Sequence, residues 1–127
     1  MTSDPRNCTV LYKILTTSEK DSLPSKEWNG TELDQKDGFL HLSTSLQLSD
    51  TLNRFFSKES GAEDELFLMV LPRSNIPQDK LQFDPAAGTV FGHIYGTINP
   101  TTDFTETILI HRDADSGKFQ LDENLQF

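Results

Sequence analysis

DGFLHLSTS, residues Asp37–Ser45, sets one histidine inside an apolar run and follows it with hydroxyl side chains. Alternation between apolar and polar positions is the mark of a half-buried strand. Within Phe39–Leu42, His41 shares a face with Phe39 and with the following Ser43, while Leu40 and Leu42 take the other. Two roles are open to such a histidine: a core ring bonded to a backbone carbonyl, or a site residue at the end of a strand, backed by a hydroxyl. Downstream, Thr44 and Gln47 have capping-box spacing, and Leu48, Leu52, Phe55 and Phe56 recur at helical intervals. A helix over about 45–57 is therefore expected directly after the strand. Upstream, Asn29-Gly30 and Lys36-Asp37-Gly38 are turn chemistry and bracket a loop long enough to serve a function.

The remaining elements follow by the same rules. Thr9–Leu15 is β-branched and aromatic and reads as a core strand from which Lys13 reaches outward. Ser18-Glu19-Lys20-Asp21 begins a short helix that breaks near Pro24 and resumes through Glu27 and Trp28. The run 66–71, LFLMVL, reads as a central strand ended by Pro72. A brief strand at 81–83, a Pro-Gly loop DPAAGT and a strand VFGHIYGTI follow. The last paired strands are TETILIHR and KFQL, joined by a hairpin over Asp113–Gly117 that keeps His111 away from any site. The order predicts a single α+β domain over 1–127, with 1–7 flexible, built on a split or strongly bent mixed sheet with short helices.

With 127 residues the chain can bury a core without staples. Eleven basic residues against twenty acidic ones, a formal charge of -9, disfavour nucleic acid as a partner, because phosphate neutralisation needs clustered Lys and Arg. The lone Cys8 leaves no internal disulfide and fits a reducing, cytoplasmic setting as a core or edge residue. No signal-like or membrane-length apolar run occurs. Spaced Cys and His partners for zinc, a phosphate-cradling Gly-rich loop and a G-x-S-x-G elbow are all missing, so no metal is expected. What remains is a set of polar side chains at strand ends: Lys13, His41 with Ser43 and Thr44, and His93 with Tyr95. Such groups line small-ligand sites, and Thr44 opening a helix offers backbone N–H groups to an anion.

VLYKIL, then LDQKDGFLHLSTSLQLSDTLNRFF, then LQFDPAAGTVFGHIYGTI resemble the three signature blocks of the DUF952 family, small proteins of unknown function. The resemblance implies a fold similar to the core of ADP-ribosyltransferases and RNA 2'-phosphotransferases, a split sheet that clasps NAD. Carried across, it makes His41 and His93 the catalytic candidates. Tyr12, Lys13, Ser43, Thr44, Asp84, Tyr95 and Gly96 become ligand-binding candidates for NAD or another nucleotide-like small molecule, with Ser43 and Thr44 on the diphosphate and Tyr95 stacked on a ring. Relatives often carry His at position 13, Glu near Asp84 and Pro at Gly92, and no late-strand Glu can be placed here. A transferase and a non-catalytic binding or accessory domain that keeps the fold are the two resulting expectations.

Overall fold

The computed structural model describes residues 3–127. Two three-stranded antiparallel sheets form the frame. The first has the order β1 (Val10–Leu15), β3 (Glu65–Pro72), β6 (Glu106–His111), and the second β2 (Leu40–His41), β5 (Thr89–Ile94), β4 (Leu81–Ala86). The α+β class and the split sheet are as expected, but every ladder is antiparallel, so the sheet is not mixed. A single bridge, Tyr12 to Ser43, links the two sheets: Tyr12 N–H donates to the Ser43 carbonyl at 2.8 Å and Ser43 N–H returns the bond at 3.0 Å. The 40–43 segment thus leaves β5 and passes to β1 within four residues.

Alternation along the strands divides the core in two. Leu11, Leu15, Met69 and Leu71 of the first sheet meet Leu40, Leu42 and Ile94 between the sheets. Val10, Tyr12, Ile14, Leu66, Leu68 and Val70 face the opposite way, onto Leu48 and Leu52 of α3 (Leu48–Phe55) and the C-terminal residues Leu121 and Leu125. The first sheet is therefore covered on both faces. The outer face of the second sheet carries His41 and His93, with Phe39 packed over them. Gly92 permits this stacking, since a Cβ there would sit 3.3 Å from Leu11.

Several local expectations change. The helix after the His41 strand begins at Leu48, because Ser43 is held extended by Tyr12 and 44–47 forms a turn in which Gln47 N–H donates to the Thr44 carbonyl. Its buried stripe is Leu48 and Leu52 with Phe56 packed alongside, and Phe55 is exposed. The first helix, α1 (Thr17–Asp21), takes its capping box from Thr16 and Glu19, and Trp28 resumes no helix but bridges Ile98. The 29–38 loop contains α2 (Glu32–Asp37), capped by Thr31 and Asp34 and closed by Gly38 in the left-handed conformation. After β6 only the Arg112–Phe119 bridge forms in place of a paired strand. Pro100–Asp103 makes the last helix, α4. Of the N-terminal stretch expected to be flexible, Pro5–Asn7 is a 3-10 turn capped by Asp4, and residues 1–2 lie outside the described ones. Among the described residues no helix is long and apolar enough to cross a membrane.

The β4–β5 connection is a two-residue turn with Ala87 at φ 52° and Gly88 at φ 79°. Type I′ hairpin turns need positive φ at both centres, and asparagine tolerates it better than alanine. Ala87→Asn is expected to raise the unfolding free energy by about 0.5–1 kcal/mol, read as a higher urea midpoint at unchanged slope. An unchanged or lower midpoint would refute the assignment.

Candidate functional site

The site is built on cross-strand registry. His41 of β2 lies directly opposite His93 of β5, and Gln82 of β4 opposes His93 on its other side, so these three share the outer face of the second sheet. Asp84 pairs with Phe91 on that same face, and Tyr95 lies one full alternation beyond His93. The imidazole centroids of His41 and His93 are 5.4 Å apart, edge to face. Phe39 lies over the group, with its ring centre 4.0 Å from His93, 4.7 Å from His41 and 5.1 Å from Tyr95.

Each ring is fixed through Nδ1. His93 Nδ1 donates to Asp84 Oδ2 at 2.7 Å, and the same oxygen accepts the Tyr95 hydroxyl at 2.5 Å. A carboxylate accepting at Nδ1 places the ring proton there and leaves the Nε2 lone pair free in the neutral ring. Burial pushes the His93 pKa down, against the pull of Asp84, and so favours that neutral form. The bonds from Tyr95 and His93 hold Asp84 below the usual carboxylate range, and the Tyr95 hydroxyl is correspondingly pushed up.

His41 is held from both ends. Nδ1 faces Asp34 Oδ1 at 2.6 Å and Nε2 faces Asp37 Oδ2 at 3.0 Å. The two acids differ sharply. Asp34 is 1% exposed and collects four donors: His41 Nδ1 and backbone N–H on one oxygen, Thr31 N–H and Lys13 Nζ on the other. Burial alone would raise its pKa, but the His41 and Lys13 contacts outweigh it and hold the acid well below its ordinary value. Lys13 does not reach outward. It is 5% exposed, turned between the sheets onto Asp34 at 2.6 Å, with a second bond to the His41 carbonyl at 3.1 Å. Burial draws the Lys13 pKa down, and Asp34 opposes the shift. Gly30 makes room for this centre: its φ is +102°, and a Cβ there would collide with the Asp34 side chain.

His41, His93, Asp84 and Tyr95 thus come together, with Lys13 behind them through Asp34. The other candidates do not join them. Tyr12 faces the α3 side, its hydroxyl donating to the Gln126 carbonyl. Ser43 Oγ pairs with Thr51 Oγ1 at 3.0 Å, Gly96 packs on Lys80, and Thr44 is wholly buried with Oγ1 unpartnered. The expected anion cradle at Thr44 is closed, since its N–H donates to Gln47 Oε1 at 3.1 Å and the helix starts only at Leu48. His111 lies on the other sheet beside Glu65. Asp34, Asp37 and Phe39 were not among the sequence candidates; the Thr31–Asp34 capping spacing was the one available signal for the first.

Among the described residues no cluster of three or more His, Cys, Asp or Glu side chains could hold a metal ion. Concavities lie away from the histidine face. One of about 760 Å³ runs between the N-terminal turn and the β4–β5 tip, lined in part by Pro5, Arg6, Pro85 and Val90. That groove contains none of the paired titratable groups. The histidine face is a shelf on which His41 and Tyr95 are partly exposed and His93 is buried against Phe39.

Protein CC0527 from Caulobacter crescentus has a closely similar fold. Its crystal structure superposes with a TM-score of 0.75 at 29% identity over 89% of this chain and 95% of that one. Its solution NMR structure gives 0.73 at 28% identity over 92% and 97%. No curated protein matches. Residues 14–102, which carry both histidines, Asp34 and Asp84, match the model described as "Protein of unknown function (DUF952)", and the chain belongs to that family.

Proposed function

We propose that the outer face of the second sheet binds a nucleotide-type ligand of the NAD or ADP-ribose class, holding it by a ribose. The observation that carries this reading is the pairing of unlike imidazoles: His93 presents an acceptor at Nε2, while both ring nitrogens of His41 face carboxylate oxygens. With rings 5.4 Å apart, such a pair suits vicinal hydroxyls, one accepting and one donating. Phe39 and the exposed Tyr95 give a planar group something to stack on. The signature blocks resemble the DUF952 family, and the fold which that resemblance implies, similar to the ADP-ribosyltransferase core, supports the same ligand class. Acidic side chains around the rings argue that the sugar, and not the diphosphate, is the anchored part.

Transferase chemistry would use His93 Nε2 as the proton acceptor, oriented by Asp84. The second reading is binding without transfer, and the lack of a late-strand Glu that can be placed on this face favours it. Calorimetric titration with NAD, ADP-ribose and mononucleotides tests the shared part. ADP-ribose is expected to bind saturably, and His93→Gln to weaken it at least about tenfold, or 1.4 kcal/mol, with a thermal midpoint shifted by only a few degrees. Absence of saturable binding, or equal affinity in the variant, would overturn the proposal.

A further inference from the structure

The two carboxylates on His41 have unequal standing. Asp34 is enclosed and satisfied by four donors, whereas Asp37 is 38% exposed and touches His41 Nε2 alone among the described polar groups. Asp37 is also the last residue of the six-residue α2, where a negative side chain meets the negative end of the helix dipole. Gly38 follows in the left-handed conformation and ends the helix.

We infer that His41 Nε2 is an oxygen-binding subsite and that Asp37 is its resident competitor, displaced when a ligand brings its own acceptor oxygen. This rests on reading the face as a ligand site and adds which atom receives the ligand and what must leave. A carboxylate oxygen 3.0 Å from the imidazole Nε2 marks the place and the polarity of the incoming group: a ribose hydroxyl or an anionic oxygen. The free protein then binds less tightly than its contacts allow, because part of the binding energy goes to opening the Asp37–His41 contact. Asp37 therefore selects for ligands that can supply an acceptor at Nε2, and against planar groups that only stack on Phe39.

The test inverts the usual sign of a site substitution. Asp37→Ala is expected to tighten ADP-ribose binding about fivefold by calorimetry, the scale of releasing one partly exposed ion pair. Glu32→Gln, which removes an equal charge from the same helix without touching His41, should change affinity by less than about twofold. Asp37→Ser should repeat the gain. Titration with inorganic phosphate separates the two oxygen sources: saturable binding to Asp37→Ala identifies an anionic oxygen, and binding of ADP-ribose without phosphate identifies the ribose hydroxyl. Binding that is unchanged or weaker in both Asp37 variants, or an equal gain in Glu32→Gln, overturns the inference while leaving the ligand site standing. Absence of ADP-ribose and NAD binding in wild type and variants alike removes both.

Discussion

Asp34→Asn is expected to cost about 3–5 kcal/mol, a large part of the stability of a domain this size. The substitution is nearly isosteric, so the loss is electrostatic. The neutral amide would leave the buried Lys13 ammonium without its counter-ion and set its own N–H₂ against either His41 or Lys13, both of which are donors. Urea unfolding at neutral pH measures it, and a loss below about 1 kcal/mol would show that the centre relaxes or hydrates. Adding Lys13→Met should recover much of the loss, because removing both buried charges costs far less than removing one. The pH dependence has a fixed sign. Asp34 has a lower pKa folded than unfolded, so its contribution is complete above the unfolded value of about 4 and fades as pH falls through the folded one. Asp34→Asn should accordingly flatten the acid limb of the stability profile.

Arg112→Met is the second large effect, at about 3 kcal/mol, and it arises on the opposite side of the molecule. The Arg112 side chain is 3% exposed and stands over the Phe119 ring at 4.4 Å. Its Nη2 donates to the carbonyls of Phe56 and Glu63, each at 3.0 Å, and to that of Ala62 at 3.3 Å, while Nη1 takes Gly117 at 3.0 Å and Nε takes Asp64. One guanidinium thus closes the α3–β3 connection and the loop after β6. Methionine fills the volume and leaves these carbonyls without a donor. Lysine should restore little, since a single ammonium cannot span that fork. Proteolysis within 57–64 should accelerate in Arg112→Met, with ADP-ribose affinity unchanged, because no part of this clamp reaches the histidine face. Loss of ligand affinity in parallel with stability would contradict that separation.

The strands were legible because their signals are local. LFLMVL is apolar throughout and proved to be the central strand of a sheet covered on both faces. Alternation in FLHLS correctly set His41 with Phe39 and apart from Leu40. What was not legible was long-range. Lys13 reads as outward because lysine normally is; only a buried acid contributed by a separate element turns it inward, and nothing near Lys13 announces Asp34. Thr44 failed for a related reason. Its capping spacing is real, but the bridge between Ser43 and Tyr12 fixes the backbone before a helix can start there. Asp37 was read as turn chemistry, and its contact with His41 appears only when α2 forms.

The unequal ladders of the second sheet set the order in which the shelf assembles. β4 and β5 are joined by two residues and pair along six, so that hairpin can close in microseconds. β2 contributes two paired residues, and bringing His41 to His93 closes a loop of about fifty residues before any contact repays the entropy. The imidazole pair is then expected to be completed late on the folding route. Substitutions at the shelf should leave the rate of folding almost untouched and appear in the rate of unfolding instead, so this surface can vary in chemistry with little penalty to the chain's ability to find its fold.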